Sequence, residues 1–485
     1  MNPKELCGAL SVLCLVQPCL AQGPFGLDTT FRMGLEQGYV RSAIEMDGKV
    51  LISGMWRWPG ELYDYSLDRL NADGSRDPSF QSSLAGGGEL TWWNDRFYVG
   101  TAQTVRRRLA DGAADPTFIE MNGGPYFSSL QGGDNYMVYP DGRVLMCGLH
   151  LLEDSIRGFM GSHTLIWFSN QGYLDTTRIH RQCDGIIYQV WEQPDSKILC
   201  SGFMTEYDGQ PANGVIRIQP NGDLDTTFNT EVTGWGWPIC SYTQSDGKII
   251  LGGAFKWAGI PDTLNLIRLL PNGDLDPTFN NDLQSIYTPG INPPNAPVSG
   301  IFPLDETRLI ITGSFDRIEG EVRGGIALVD TAGNLINDHF DSPGCGAFWD
   351  GLFMQGSVRN IVAAQDGSYY IHGGYHGYND GVVNDTAQRF VSRLYGLDVG
   401  IQNQQEATPA MSLSPNPGTD ELVVNIGQAV EKGAIVVLDA TGRMVLWATS
   451  DGSLVRLPTG DLAPGVYVVM FVGEPERFVA PWVKQ

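Results

Sequence analysis

Residues Asp246–Phe279 read DGKIILGGAFKWAGIPDTLNLIRLLPNGDLDPTF, and this stretch decides the fold. Asp246-Gly247 and Asn272-Gly273 are dipeptides that accept the positive φ angles of tight turns, and each lies between runs rich in Ile and Leu. The pattern predicts four antiparallel strands: CSYTQ before Asp246, KIILGGAF after it, LIRLL before Asn272 and LDPTF after that. Pro277 cannot donate a ladder hydrogen bond, which assigns the fourth strand to a sheet edge. A four-stranded unit with a proline-marked outer edge has the form of a propeller blade.

Working outward, the second-strand pattern recurs as DGKVLISGMW from Asp47, NDRFYVGTA from Asn94, DGRVLMCGLH from Asp141, DSKILCSGFM from Asp195, DETRLIITGSF from Asp305 and DGSYYIHGGY from Asp366. With Asp246 that makes seven copies, at the spacing of propellers and repeat arrays. The second hairpin keeps the same count: YSLDRLNADG, TVRRRLADG, TLIWFSNQG, NGVIRIQPNG, LNLIRLLPNG, GGIALVDTAG and FVSRLYG. Copies two, three and six depart from the pattern. Asn94 replaces the turn aspartate, Arg178 replaces the phenylalanine, and Ile336-Asn337-Asp338 adds a residue. LDTTF at Leu27–Phe31 precedes any partner hairpin, and no such strand follows Tyr395. An N-terminal strand is therefore expected to complete the seventh blade and remove an open edge.

The recurring RL-x-PNGDLD-x-TFN followed by DGKI-x-x-GG-x-F resembles the delta-60 repeat, a bacterial family of β-propellers found in exported proteins. The likeness covers about residues 22–400 and is clearest from Asp195 to Asn280. It implies a propeller and brings no established activity.

Composition agrees. The chain has 485 residues, too many for one ordinary core, with 61 glycines and few charges, a mix suited to short strands and tight turns. A net charge of −24 argues against a nucleic-acid partner, which needs a basic patch, and suits solubility outside the cell. Lys4 lies ahead of an apolar run from Leu6 to Val16, and Cys19-Leu20-Ala21 forms a small-residue cleavage context, so residues 1–21 read as a signal peptide. Gln17 and Pro18 before Cys19 argue against lipidation. No later stretch is long and apolar enough to span a bilayer. Three of the eight cysteines leave with the signal, and an odd five remain, so at least one thiol has no partner within the chain. Cys147 and Cys200 fall in the central strand, where the expected role is a small buried residue.

Residues 401–410, IQNQQEATPA, read as a polar linker. Beyond them, residues 411–485 alternate short apolar runs with Gly, Pro and Asp turns, which predicts a small Ig-like β-sandwich. Ser414-Pro415-Asn416-Pro417, the run from Leu438 through Asp439 and Gly442 to Arg443, and the run from Leu462 through Gly465 to Tyr467 resemble the type A sorting domain of the type IX secretion system. That resemblance makes Pro415, Asn416, Pro417, Asp439, Gly442, Gly465 and Tyr467 the sorting motif. It implies the type IX machinery as partner, passage through the periplasm and outer membrane of a gram-negative cell, and removal of the domain afterwards.

The fold class is thus all-β, a seven-bladed β-propeller over residues 22–400 followed by the sandwich. Chemistry leaves few marks. Aspartates such as Asp223, Asp225, Asp274 and Asp276 sit in turns that explain them, and neither a cofactor, a catalytic motif nor a metal-ligand spacing emerges, His372 and His376 included. The DG and NG turns would share one face of the propeller, and the longer, irregular connections on the other face are rich in aromatics, which suit either packing between blades or ligand contact. Trp56, Trp58, Trp235, Trp237, Trp257, Tyr375 and Tyr378 are the ligand-binding candidates. The reading is an exported, cell-surface or secreted propeller, a binding protein more than an enzyme, with a protein or glycan ligand. The alternative is a surface hydrolase acting on polysaccharide or peptide, whose paired carboxylates would assemble from distant blades.

Overall fold

The computed structural model describes residues 25–84, 86–101, 103–119, 127–286, 291–292, 296–337, 340, 342–349, 354–379, 385, 387–396, 411–426, 433–439, 442–450, 454–473 and 477–485. Residues 1–21 and 401–410, expected as signal peptide and linker, lie outside the described residues. Two compact units form, one within Met1–Val399 and one within Gly400–Gln485.

Each turn dipeptide reverses the chain as its residues dictate. Asp47 and Gly48 take φ of 51° and 74°, closing a two-residue hairpin in which Met46 pairs with Lys49. Among the described residues, seven three-stranded antiparallel sheets follow one another through the first unit as blades, with smaller ladders of two- and three-residue strands in the connections. Their first strands are Gln37–Met46, Leu90–Trp93, Phe127–Val138, Ile186–Glu192, Val232–Thr243, Val298–Pro303 and Ser357–Ala363. The third strand of the first six sheets then meets the LDPTF-type segment through one bridge: Leu70 to Arg76, Arg108 to Ala114, Phe168 to Leu174, Ile218 to Leu224, Leu269 to Leu275 and Val329 to Leu335, with a further bridge beyond that segment in the first and third sheets, Leu67 to Ser83 and Leu165 to Arg181. The expected fourth strand has shrunk to that bridge. The Asp276 carboxylate accepts from both the amide and the hydroxyl of Thr278 (2.9 and 2.7 Å), curling the chain away from the ladder.

In the seventh sheet the bridge is Leu394 to Leu27. The Asp28 amide donates to the Arg393 carbonyl and the Tyr395 amide to the Gly26 carbonyl, both at 2.8 Å. The N-terminal segment therefore closes the ring, and Gln37–Met46 packs against Tyr369–Gly374 of the last blade.

One arginine clamp recurs at the outer edge. Arg268 donates to Asp276 (2.8 Å), to the Thr278 hydroxyl (3.0 Å) and to the Thr331 carbonyl of the next blade (2.6 Å), and its guanidinium covers the Phe279 ring. Arg69, Arg107 and Arg217 repeat this with Asp77, Asp115 and Asp225 and with carbonyls of the following blade at Ala110, Asn170 and Pro271. Burial would raise the Asp276 carboxyl, but Thr278, Lys248 and Arg268 outweigh it and hold the group well below the usual carboxylate range. The amide after each phenylalanine reaches the next blade's turn, as Asn229 does to the Asn272 carbonyl (2.9 Å). That contact explains Gly273, at φ 96°, because a Cβ there would stand 2.2 Å from the Asn229 carbonyl oxygen.

The second unit is a sandwich. One sheet orders Met411–Ser414, Glu421–Ile426 and Leu454–Pro458; the other orders Met444–Ser450, Gly433–Leu438, Gly465–Gly473 and Arg477–Lys484. Leu422, Val424, Ile435, Val437, Val469, Phe471 and Trp482 fill the space between them. Among the described residues, no helix is long and apolar enough to cross a membrane.

Candidate binding site at the channel mouth

The first strands of neighbouring blades touch one another around the ring, which places them along its axis. The dipeptide turns close one end of the blades, and the long connections gather at the other. Towards that second end, the first strands carry a β-bulge. The extra residue is Arg41 in the first blade, Leu130 in the third, Tyr188 in the fourth, Ile239 in the fifth, Ser299 in the sixth and Arg359 in the seventh. In the second blade Glu89 holds the matching place, its carbonyl accepting from the Gly100 amide at 3.0 Å.

A bulge re-aims the side chain it adds. Arg41, Ile239, Ser299 and Arg359 line a cavity of about 620 Å³ with Tyr39, Met55, Asp64, Ser314 and Ser357. The second strand makes room for the bulge with a glycine. A Cβ on Gly54, Gly202 or Gly373 would lie 2.0–2.3 Å from a first-strand carbonyl oxygen, and one on Gly313 2.3 Å from that of Pro297 just before the strand, so the GG or SG of the repeat is a consequence of the bulge.

Charges meet at the ring. Glu89 Oε1 lies 2.9 Å from Arg359 Nη2 and 3.4 Å from Arg41 Nε. Burial would raise the Glu89 carboxyl, yet Arg359 and Arg41 prevail and hold it below its ordinary value. Asp64 pairs with Arg57 at 2.8 Å. Below them His372, its Nδ1 3.3 Å from the Val40 carbonyl, is pushed down to about 4 by burial.

The aromatic candidates fare differently. Trp56, Trp257, Tyr375 and Tyr378, expected as ligand platforms, are buried. Trp56 fills the first-blade core and forms part of the cavity wall. Trp257 donates to Glu231 (3.1 Å) and Tyr375 to the Ser392 hydroxyl (3.0 Å). Trp58 is half-buried and tied to Asp68 (3.0 Å). Trp56 and Trp257 lie at the ends of second strands, within the ladder and not in a loop, and His376–Tyr378 forms a short strand paired with Cys345–Gly346. Trp237 is partly exposed and stacks on the ring residue Tyr188, centroids 4.2 Å apart. The side chain of Trp235 lies outside the described residues. Cys147 and Cys200 are buried as expected.

In the sandwich the motif residues tie the fold together. The Pro415 carbonyl accepts from Trp482 Nε1 (2.8 Å) and the Asn416 side chain from the Val483 amide (3.0 Å), fastening the first strand's exit to the last strand, with Pro417 exposed beside them. The Gly442 amide, at φ 80°, closes a turn on the Asp439 carbonyl (2.9 Å), and Gly465 opens the strand in which Tyr467 is buried, its hydroxyl on the Ala463 carbonyl (2.7 Å).

Residues 193–228 and 244–279 match a family model described as a domain of unknown function with a β-propeller fold, DUF5122. Residues 412–484 match the secretion system C-terminal sorting domain. This is an exported propeller with a C-terminal sorting domain. The sorting domain directs it to the cell surface or the medium and makes the secretion machinery its partner. No curated protein matches the chain. Solved structures similar to the exported propeller include PorZ, an essential bacterial surface component of the type IX secretion system of Porphyromonas gingivalis (11% identity, 91% of this chain and 69% of that one, TM-score 0.34). Another is the extracellular domain of a hybrid two-component system from B. thetaiotaomicron (10%, 95% and 59%, TM-score 0.40). A third is the Neurospora crassa Pan2 WD40 domain (9%, 77% and 97%, TM-score 0.36).

Proposed function

We propose that the propeller binds a protein or glycan partner at its channel mouth, and that a type IX system carries it through the outer membrane by reading residues 411–485. Residues 1–21 act as the signal peptide and 401–410 as the linker. One observation carries the binding reading. The blades repeat a single backbone bulge and vary the side chain on it, through Arg41, Leu130, Tyr188, Ile239, Ser299 and Arg359. A shared backbone position carrying a different side chain in each blade, beside a cavity, is the layout of a recognition surface. Trp237, stacked on Tyr188, belongs to it.

A paired-carboxylate glycoside hydrolase needs a carboxyl kept protonated near an ionised one. Asp64 is engaged by Arg57, and Arg359 with Arg41 keeps Glu89 ionised, an arrangement that favours binding over catalysis. A screen of the full chain against glycans and surface proteins tests the reading: a ligand is expected whose capture is lost in Tyr188→Ala with Trp237→Ala. Hydrolysis of any panel member overturns it. Deleting residues 411–485 should leave a folded propeller in the periplasm, and normal surface delivery of that variant would overturn the export route.

A further inference from the structure

We infer that the channel mouth takes an acidic sugar, a hexuronate whose carboxylate is held by Arg41 and Arg359. The inference rests on the binding reading above and adds the class of ligand. Arg41 and Arg359 come from adjacent blades, the first and the seventh, and each is the bulged residue of its strand. Both line the cavity, whereas Glu89, on which both converge, does not. Two guanidiniums that already meet about one carboxylate have the separation that a second carboxylate entering from the cavity requires. Each guanidinium carries five N–H donors in a planar fork suited to carboxylate oxygens, more than its pairing with Glu89 uses.

The rest of the cavity suits a sugar. The Ser299 hydroxyl shares its one hydrogen between the Val358 and Arg359 carbonyls (3.0 and 2.9 Å), which pins the backbone of Arg359 and leaves the Ser299 oxygen as an acceptor. The Ser314 hydroxyl donates to that of Ser357 at 2.7 Å, a second hydroxyl pair on the wall. Tyr39, 41% exposed, offers a ring face at the same cavity. A volume of about 620 Å³ holds one or two sugar rings and falls in the range of small-ligand sites, not of protein interfaces. The net charge of −24 does not forbid an anion. Charges spread over the surface are screened beyond about 8 Å at physiological salt, while the two guanidiniums act at contact.

The test is calorimetric titration of the full chain with galacturonate trimer and with galactose trimer. The acidic trimer is expected to bind at least about tenfold more tightly, Arg359→Gln to weaken it about tenfold or more, and Arg359→Lys, which keeps charge and loses the fork, to fall between. Glu89→Gln removes the internal competitor and is expected to keep or strengthen acidic binding, with each variant's fold checked by its melting temperature. Equal affinity for the two trimers overturns the carboxylate assignment and leaves the binding reading standing. Acidic peptides that bind where neither trimer does overturn the sugar class. Failure of the chain to bind anything in the wider screen overturns the binding reading itself.

Discussion

The fifth and sixth blades hold the same edge by opposite means. In the fifth, Arg268 and Asp276 face each other as a buried ion pair with Lys248 3.1 Å from the same carboxylate. In the sixth the two places carry Leu328, buried, and Ile336, packed against the same apolar cluster. The backbone bond between the positions is unchanged, 2.8 Å from the Asp276 amide to the Arg268 carbonyl and 2.8 Å from Ile336 to Leu328. A blade is therefore defined by its main chain, and the side chains are interchangeable fillings, as expected when burying an ion pair costs about as much as its attraction returns. The third blade makes the point again. Trp167 stands where the fifth blade has Arg268, Arg178 stands where it has Phe279, and the guanidinium still covers the ring and still reaches the next blade, at the Pro220 carbonyl (2.8 Å).

The comparison can be broken most severely at the closure. Deleting residues 25–34 strips Phe25, Phe31 and Met33 from the core and Asp28 from Arg393. At about 1.5–3 kcal/mol for each large apolar side chain, a loss above about 5 kcal/mol is expected in denaturant unfolding. An unchanged midpoint would mean that the edge at Val391–Leu394 is held by something other than this segment.

Next in size is the clamp. Asp276→Ala leaves Arg268 buried without its carboxylate and should cost about 3–5 kcal/mol. Ile336→Asp should cost a similar amount in the sixth blade, and adding Leu328→Arg should recover at least about half of it. If the double variant is no better than the single, the two edges are not equivalent.

Acid separates the third blade from the fifth. Burial pushes His150 and His180 down to about 4, His163 acting in the same direction on both. Their unfolded counterparts take up protons near 6.5, so the stability they contribute is complete above about pH 6.5 and is lost as pH falls towards 4, up to about 3 kcal/mol each. Asp276, held well below 4, contributes in full down to about pH 4 and loses its share only beneath it. Hydrogen exchange at pH 7 and pH 5 should show loosening in Phe127–Phe168 before Val232–Leu269, and equal loosening would contradict the assignment.

The smallest effect sharpens the exchange in the third blade. Trp167→Arg and Arg178→Phe should each cost about 2 kcal/mol alone, while together they return to within about 1 kcal/mol of the parent.

The turns were legible because few residues tolerate positive φ, and Asp47-Gly48 or Asn272-Gly273 announce themselves. The apolar alternation around them placed the three strands of each blade and the closing segment at Leu27. LDPTF was over-read as a strand because the Asp276–Thr278 hydrogen bonds compete with the ladder, and composition does not show which wins. The aromatic candidates were harder to place: Trp56 belongs to the strand Lys49–Arg57, pairs with Gly38 and Tyr65 and is buried, which the Gly and Pro around it do not reveal. The bulge ring stayed hidden because its residues share no chemistry and slide in register, Arg41 six residues before Asp47 but Arg359 seven before Asp366. A trace existed in Gly54, Gly202 and Gly373, whose missing Cβ marks where the first strand swells.

The closure of the ring also sets a schedule. Asp28 and Arg393 stand 365 residues apart, so a chain leaving a membrane N-terminus first exposes the closing segment early and its partner last. Until Val391–Leu394 has emerged, the seventh blade lacks an edge and the circle stays open. What emerges next is the sorting domain. The order along the chain thus works as a clock, in which the cargo becomes able to finish folding just before its delivery label can be read.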